Sequence, residues 1–382
     1  MRNGDIGRRQ FLGILGGALS VGAGVAAGVL TPPPARAVDG MLAYLGCYTS
    51  AGAGGRGIGV AAVDPATGGL TIADTVDGVA DPSFLALSPD GRYLYAVDES
   101  TGAGRATALC LDTDRPTVLN TVAVQGNGPT HLCVTPDGRW VLTANYDSGS
   151  VSMLAVAEDG RLGAVTDVAQ HSGSGPDPER QEGPHAHQVL VDPSGQWVLA
   201  VDLGVDSVYV YRLTDGKLTR HAQVAMTPGS GPRHLAFHPD GRRAYLANEL
   251  NSTVTVCDWS PETGELRPGD SVVADSDTGG DRNYPSEPVI SPDGRFLYLA
   301  NRGHDNIATF ALLGAAPVLL TTTPCGGKFP RHLTLSPDAR RLYAANQKSD
   351  SVTWLDLDPI TGIPGPSSGT LQTPAATCVV FR

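Results

Sequence analysis

The chain has 382 residues, and 41% of them are hydrophobic, so it can bury a large core as one big all-β domain or as two ordinary domains. Its 48 glycines and 29 prolines predict many turns. The formal net charge of -12 comes without a compensating lysine or arginine cluster. A phosphate backbone would therefore be repelled on average, which argues against nucleic acid as a partner.

The first 37 residues have the pattern of an export signal. Two arginines in "GRRQFLG" precede an apolar stretch from Phe11 to Leu30, and "ARA" at residues 35–37 fits a small-residue cleavage site. This pattern predicts a twin-arginine signal peptide. A membrane anchor is the alternative, because about 20 apolar residues could cross a bilayer. We expect an exported protein, extracellular, periplasmic or associated with the cell envelope, without stable membrane insertion after cleavage.

Six copies of one pattern follow, as in "SFLALSPDGRYLYAVDES" and "RHLAFHPDGRRAYLANEL". Each copy has an alternating apolar strand, a proline-led turn and a second alternating strand, which is typical of a β-hairpin. A third strand and usually a weaker fourth come next. Four strands in each repeat are typical of a β-propeller blade. The turn prolines, spaced 45 to 57 residues apart, are Pro89, Pro136, Pro193, Pro239, Pro292 and Pro337.

The two ends of the repeat region complete a seventh blade. "MLAYLGCYT", "GIGVAAVDP" and "LTIADTV" predict three strands that lack an inner one, and "TPAATCVVFR" predicts that inner strand. We therefore predict an all-β, seven-bladed β-propeller over residues 41–382, whose ring closes by pairing the N- and C-terminal strands. Closure leaves no free sheet edge, so we expect a monomer. It also places Cys47 and Cys378 on adjacent strands, where a disulfide is geometrically allowed.

The hairpins should gather polar residues around one rim of the central channel. In an antiparallel hairpin, the start of the first strand lies beside the end of the second, opposite the turn. Because the innermost strands line the axis of a propeller, these ends converge from every blade. They carry Ser83 and Glu99; Thr130 and Tyr146; His185, His187 and Asp202; Arg233, His234, Asn248 and Glu249; Glu287, Asn301 and Arg302; and Arg331, His332, Asn346 and Gln347.

Within this set, Asn or Asp recurs at the end of every second strand, and we interpret it as bonding the backbone of its own turn. The changing residues are better candidates for a site. Arg233, Glu249 and Arg302 could bind an anionic substrate and move a proton, although salt bridges between blades are the alternative. His185 and His187 have a spacing compatible with a metal, but no third ligand is evident, so we predict neither metal nor cofactor. The chain lacks a G-x-S-x-G elbow, a P-loop and a dinucleotide fingerprint, which gives no support to a seryl enzyme or a dehydrogenase.

The phrases "GPHAHQV", "SPDGRFLYLANRGHDNIATF" and "LYAANQKSDSV" resemble the seven-bladed lactonase family over roughly residues 41–382. Its members include propeller-type bacterial 6-phosphogluconolactonases and the fungal carboxy-cis,cis-muconate cyclase. The resemblance implies a seven-bladed propeller with His185, Arg233, Glu249 and Arg302 at the site. Two features depart from the family: Pro288 stands where an unbroken strand is usual, and the export signal weakens an assignment to phosphorylated intracellular sugars.

We therefore expect a metal-independent lactonase that opens a small, anionic sugar lactone in the manner of a 6-phosphogluconolactonase. Glu249 or His185 would activate water, and Arg233 and Arg302 would hold the anionic group or the developing oxyanion. Substrate binding is predicted for His187, His234, Glu287, Arg331 and Gln347. The alternatives are an exported, non-catalytic propeller that binds a small anionic ligand or a protein, and a cyclase acting on muconate-type lactones.

Overall fold

The computed structural model describes residues 40–50, 52–112, 115–276, 282–314 and 316–382. The predicted signal peptide at residues 1–37 lies outside the described residues. Within the described part of the chain, no helix is long and apolar enough to cross a membrane.

The described residues form seven four-stranded antiparallel sheets, which we number as blades. Blade 7 combines both ends of the chain: β1 (Leu42–Cys47), β2 (Gly57–Val63), β3 (Leu70–Asp77) and β28 (Ala376–Phe381). Blades 1 to 3 contain β4 (Leu85–Leu87), β5 (Tyr93–Asp98), β6 (Ala103–Cys110) and β7 (Thr117–Asn127); β8 (Pro129–Val134), β9 (Trp140–Asn145), β10 (Ser150–Val156) and β11 (Leu162–Gln170); and β12 (Ala186–Val191), β13 (Trp197–Asp202), β14 (Ser207–Thr214) and β15 (Lys217–Ala225).

Blades 4 to 6 continue the same order of strands. They contain β16 (Pro232–Phe237), β17 (Arg243–Asn248), β18 (Thr253–Ser260) and β19 (Glu265–Val273); β20 (Tyr284–Ile290), β21 (Phe296–Arg302), β22 (Asn306–Ala311) and β23 (Val318–Pro324); and β24 (Pro330–Leu335), β25 (Arg341–Asn346), β26 (Ser351–Leu357) and β27 (Pro364–Gln372). One 3-10 turn, Gln347–Ser349, follows β25.

The innermost strands form a closed ring. They contact one another in the order β4, β8, β12, β16, β20, β24 and β28, and β28 contacts β4 again. β28 also pairs antiparallel with β1, so the two ends of the chain share blade 7. The prediction of a seven-bladed propeller closed by its terminal strands is confirmed.

The hydrophobic core lies between the blades. Seven apolar clusters each combine side chains from two adjacent blades. In one of them, Trp197 and Leu199 of blade 3 pack against Leu235 and Leu246 of blade 4. Both faces of a middle strand are therefore buried, as in β13, where all six residues are buried. Every blade depends on its neighbours for its core.

A β-bulge near the open end of the inner hairpin recurs in six blades. In blade 4, Pro232 pairs with Asn248 and His234 pairs with Ala247, so Arg233 is left out of the ladder. A bulge of this kind re-aims a side chain and bends the strand locally. The residues left out in this way are Thr130, His187, Arg233, Ser286 with Glu287, Arg331 and Thr377.

The bulge in blade 7 also determines whether the two cysteines considered for a disulfide face each other. Cys378 lies opposite Gly46, and Cys47 lies opposite Ala376, so the cysteines do not face each other. Both thiols are free, and Cys47 Sγ donates to the carbonyl oxygen of Gly57 at 3.0 Å. The disulfide that the chain order allowed is absent.

One further expectation is corrected in part, and Pro288 can be placed. Pro288 pairs with Leu299 within β20, directly after the register shift that leaves Ser286 and Glu287 out of the ladder. This strand is the innermost of its blade, and an edge strand tolerates proline. The recurrent asparagines do not bond their own turns: Asn248 Nδ2 donates at 2.8 Å to the hydroxyls of both Thr253 and Thr255 in the next strand. The two aspartates at this position do bond their own turns: Asp98 accepts from Ser100 N–H, and Asp202 accepts from Gly204 and Val205 N–H.

Candidate active site

Glu249 lies at the centre of an arginine cluster. It follows the last residue of β17 and is 3% exposed. Its Oε1 accepts from Arg180 Nη2 at 2.6 Å, and its Oε2 accepts from Arg302 Nη2 at 2.5 Å. Arg233 Nε lies 3.2 Å from Oε2. Three guanidinium groups from different parts of the ring therefore share one carboxylate.

The three arginines reach Glu249 by different structural routes. Arg233 occupies the bulge at the start of the same hairpin. Arg302 ends β21 in the next blade, where its Nε donates to the carbonyl oxygen of Tyr284 at 3.1 Å. Arg180 comes from the loop between β11 and β12, and its side chain is 35% exposed. Arg180 is thus the arginine most open to solvent.

The charges around Glu249 keep its carboxylate ionised. Burial alone would raise the pKa of Glu249, but the guanidinium groups of Arg302, Arg233 and Arg180 outweigh burial and lower the pKa to about 2. A carboxylate with so low a pKa has little tendency to take a proton from water near neutral pH. Glu249 is therefore better suited to orient the arginines than to act as a base.

Arg233 is a buried cation with incomplete partners. The residue is 1% exposed, and its Nε and Nη1 make no hydrogen bond within the described structure. The 3.2 Å approach of Nε to Glu249 is thus an ion pair with poor hydrogen-bond alignment. Burial, followed by the positive charges of Arg302 and Arg331, lowers the pKa of Arg233. Its charged form would gain from a further anionic partner.

His185 is linked to the cluster through Tyr146, whose hydroxyl lies 3.4 Å from Arg180 Nη2. Its ring stacks on Tyr146 with centroids 4.4 Å apart, and its Nδ1 lies 3.0 Å from the Tyr146 carbonyl oxygen. A carbonyl only accepts, so Nδ1 donates and carries a proton. Nε2 lies 3.2 Å from Oε1 of Glu182, a side chain that is 59% exposed. When that exposed carboxylate turns to solvent, Nε2 can offer a lone pair and act as a general base.

The backbone of His185 is fixed by a buried aspartate. Asp202 Oδ1 accepts the His185 N–H at 2.8 Å. Asp202 Oδ2 contacts His171 Nδ1 at 2.6 Å, and His171 Nε2 contacts the Tyr211 hydroxyl at 2.8 Å. The side chains of Asp202 and His171 are both fully buried. This arrangement positions His185 rather than reacting itself.

Three other predicted residues form a separate row in the channel. His234 Nδ1 lies 2.8 Å from Glu287 Oε2, and His234 Nε2 lies 3.1 Å from His187 Nδ1. Burial raises the pKa of Glu287, although Arg233 opposes the rise. Burial likewise lowers the pKa of both histidines well below the usual value. The row therefore favours neutral groups, unlike the charged cluster at Glu249.

The remaining predicted residues lie elsewhere. Arg331 Nη2 contacts both carboxylate oxygens of Glu99, at 3.2 and 3.3 Å, and Thr130 Oγ1 at 3.3 Å. Gln347 Oε1 is buried without a hydrogen-bond partner among the described residues. The structure therefore brings Arg233, Glu249 and Arg302 together, places His185 beside them, and assigns the others to different contacts.

Sequence reasoning missed Arg180, together with Glu182. Both lie in the loop that lengthens the spacing between Pro136 and Pro193 to 57 residues, the longest of the series. That extra length was the available signal, because a loop that exceeds its counterparts often carries function. Its destination could not be read from the sequence, since Arg180 contacts a residue 69 positions away.

In the part of the chain that the structure describes, no group of three or more His, Cys, Asp or Glu side chains is placed to hold a metal ion. His185 and His187 do not act as a pair. The first stacks on Tyr146, and the second bonds to His234 from a bulge.

A family model described as lactonase, 7-bladed beta-propeller, matches residues 42–381. The chain is similar to the 6-phosphogluconolactonase of Bacillus subtilis, with 34% identity over 271 residues, which are 70% of this chain and 77% of that protein. Its fold is similar to that of the periplasmic gluconolactonase of Pseudomonas aeruginosa, with a TM-score of 0.83, 32% identity, and coverage of 89% of this chain and 98% of that one. A Lactobacillus plantarum protein gives a TM-score of 0.84 and 32% identity over 89% of this chain and 99% of that chain.

The closed seven-blade ring, together with these matches, defines a propeller enzyme of the lactonase class. The chain belongs to the seven-bladed β-propeller lactonase family.

Proposed function

We propose that this lactonase hydrolyses a small, anionic sugar lactone at the cluster around Glu249. The observation that carries the proposal is the charge ratio: Arg180, Arg233 and Arg302 converge on a single carboxylate. The surplus positive charge favours a substrate that brings its own negative charge, because guanidinium groups bind carboxylate and phosphate oxygens well. The named activities of the Bacillus subtilis and Pseudomonas aeruginosa relatives support a sugar lactone.

In the proposed mechanism, His185 is the general base. Its Nε2 takes a proton from water while the water oxygen attacks the lactone carbonyl carbon, and the carbonyl electron pair moves onto oxygen. Arg233 and Arg302 stabilise that oxyanion. When the carbonyl re-forms, the ring C–O bond breaks, and His185 returns the proton to the leaving oxygen. The products balance as lactone plus water giving one hydroxy acid.

Metal independence is part of the proposal, and the chemistry of the cluster supports it. A Lewis acid would stabilise the developing oxyanion, and the arginines already present can supply that positive charge. We expect extended incubation with a chelator, followed by gel filtration, to leave kcat/KM unchanged. A loss that added Zn²⁺, Mn²⁺ or Ca²⁺ reverses would overturn this part.

We further propose that the protein is exported by the twin-arginine route, on the pattern of residues 1–37. The periplasmic description of the Pseudomonas aeruginosa relative supports export. Fusing residues 1–40 to a reporter that is active only after twin-arginine transport tests it. A fusion with Arg8 and Arg9 replaced by lysine should stay inside the cell; equal export of both fusions would contradict the proposal.

The substrate proposal is tested with a matched set of lactones. Initial rates are measured with gluconolactone, 6-phosphogluconolactone and a carboxymuconolactone, each against its spontaneous opening in buffer. We expect the anionic lactones to give the higher kcat/KM, and Arg302→Gln to lower it most for them. Equal kcat/KM for neutral and anionic lactones would contradict the proposed preference for an anionic substrate. No opening of any lactone would favour a non-catalytic binding propeller.

A further inference from the structure

Behind the Glu249 cluster, the bulged residues surround a second feature, which we name the axial cavity. It is lined by Ser83, Thr130, Arg233, Glu287, Arg331 and Thr377, together with neighbouring aromatic side chains. These six residues come from six different blades, so the cavity lies where the innermost strands meet. It is about the size of one water molecule.

The lining of the axial cavity has unused hydrogen-bond donors. Arg233 Nη1 and Nε, Ser83 Oγ and Thr377 Oγ1 are all buried and make no hydrogen bond within the described structure. A guanidinium can only donate, and a hydroxyl can rotate to donate. Buried polar groups in native proteins are nearly always satisfied. Arg233 Nε faces Glu249, so Arg233 Nη1 and the two hydroxyls are the atoms that indicate a missing partner in the cavity.

The charge around the cavity favours a negative partner. Arg233 shares Glu249 with two other arginines, and Arg331 already uses Glu99. Glu287 is the remaining carboxyl group in the lining, and it contacts His234 at 2.8 Å. Burial raises the pKa of Glu287, although the Arg233 guanidinium opposes the rise. A buried cation without a full partner is costly, and an anion would offset that cost.

We propose that the axial cavity binds a monatomic anion, a halide such as chloride, held by Arg233 Nη1 and the hydroxyls of Ser83 and Thr377. The small volume excludes a phosphate or a sugar ring, and an acceptor-only ligand matches a lining of donors. The ion would complete the charge balance of Arg233 and so keep the guanidinium in place behind Glu249. The site shares Arg233 with the proposed reaction, but its existence does not rest on that reaction, and it would exist in a protein that opens no lactone.

The test uses the full chain and the halides themselves. Melting temperature is measured in sodium bromide, sodium chloride and sodium methanesulfonate at equal ionic strength, because methanesulfonate is too large for the cavity. We expect bromide and chloride to raise the melting temperature in a saturable way, as binding to the native state alone predicts. Crystals soaked in bromide should show an anomalous peak within hydrogen-bonding distance of Arg233 Nη1.

Two variants and one control connect the response to the cavity. Ser83→Ala and Thr377→Val each remove one donor. We expect each variant to raise the apparent halide dissociation constant, taken from the concentration dependence of the melting temperature, about tenfold or more, as for the loss of a hydrogen bond to a charged group. Thr309→Val removes a buried, unpartnered hydroxyl on β22 that does not line the cavity, and should respond like the wild type.

The proposal is overturned if bromide and methanesulfonate give the same melting temperature. It is also overturned if bromide peaks appear only elsewhere in the crystal, which would leave water as the occupant of the cavity. An unchanged halide response in both Ser83→Ala and Thr377→Val would assign any halide effect to another site.

Discussion

His185 differs from the other channel histidines in how its two nitrogens are used. His187 and His234 bond to each other, and His234 also contacts Glu287, whereas the only side-chain partner of His185 Nε2 among the described residues is the exposed Glu182 carboxylate. Asp202 holds the backbone of His185 and Tyr146 stacks on its ring, so the ring is oriented without a substrate. At the scale of single residues, the contacts of the two ring nitrogens of His185 therefore favour it as the base of the proposed reaction.

Replacing this ring should remove most of the activity without unfolding the protein. We expect His185→Asn to lower kcat by about 100-fold or more, the usual contribution of a general base, with a melting temperature close to that of the wild type. The matched control is His221→Asn, which changes an exposed histidine on β15. Steady-state kinetics of both variants decide the matter, and wild-type kcat in His185→Asn would exclude His185 as the base.

Glu249 should matter for stability as well as for function. Glu249→Gln leaves three guanidinium groups without their carboxylate, and removing one partner of a buried ion pair costs about 3–5 kcal/mol. We expect a loss of that order in the free energy of unfolding at pH 7, measured with urea. Glu262→Gln, in an exposed pair with Arg242, should change it by less than about 1 kcal/mol.

The same substitution has a defined pH dependence. The folded-state pKa of Glu249 is lowered to about 2, so its contribution to stability is present above the unfolded value of about 4.3 and is lost as the pH falls toward 2. The difference in unfolding free energy between wild type and Glu249→Gln should therefore narrow between pH 4 and pH 2, approximately. A constant difference across that range would show that Glu249 does not carry the charge assigned to it.

At the scale of elements, a glycine makes the inner hairpin of blade 4 fit its neighbours. Gly231 has a φ of +57°, and its carbonyl oxygen accepts the Glu249 N–H at 2.7 Å. A Cβ at this position would lie 2.3 Å from Leu250 Cγ. The residue just before β16 therefore also holds the backbone of Glu249, the central carboxylate.

Gly231→Ala should disturb both stability and the site. Gly241 is the matched control, because its φ is +67° and a Cβ there would meet no atom within 4 Å. We expect Gly241→Ala to cost about 1–2 kcal/mol through its backbone conformation alone, and Gly231→Ala to cost clearly more and to reduce kcat/KM. Chemical denaturation with both variants measures this; equal losses would mean that the close approach to Leu250 relaxes freely.

Alternation and turn chemistry predicted the blades because both are local properties of a hairpin. The same rules placed Arg233 beside Glu249, sixteen positions later. They could not predict the bulge at Arg233, since strict alternation assumes an unbroken ladder. For related reasons, the sequence rules did not predict that Arg180 pairs with Glu249 or that Cys47 and Cys378 are separated. Each depends on a loop path or a one-residue shift that sequence periodicity does not contain.

At the scale of the whole molecule, the ring depends on one short strand. β28 lies between β1 and the innermost strands of both neighbouring blades. The two ends of blade 7 are joined by reciprocal backbone hydrogen bonds, from Leu42 N to Arg382 O at 3.2 Å and from Arg382 N to Leu42 O at 2.8 Å. The period of the repeats predicted this closure because the three N-terminal strands lacked an innermost strand, which the C-terminal segment supplied.

Removing residues 373–382 should abolish cooperative folding, because it opens the ring and exposes the edge of β1. A circular permutant that joins Arg382 to Gly40 and begins anew between the exposed residues Glu158 and Asp159 should fold like the parent. Comparing the soluble yield and thermal transition of both proteins tests the role of closure. A truncated protein with the parent transition would show that a seventh blade of three strands is sufficient.

The bulged positions lie outside both the ladders and the seven apolar clusters, which has a practical consequence for engineering. Exchanging Thr130, His187, Arg233 or Arg331 changes what the channel presents while the paired strands on either side keep their partners. A combinatorial library at these positions could therefore diversify ligand preference without unpairing a strand, provided that Arg233 and Arg331 are exchanged together with their carboxylate partners Glu249 and Glu99. The paired strands would then serve as a constant scaffold for a variable set of channel side chains.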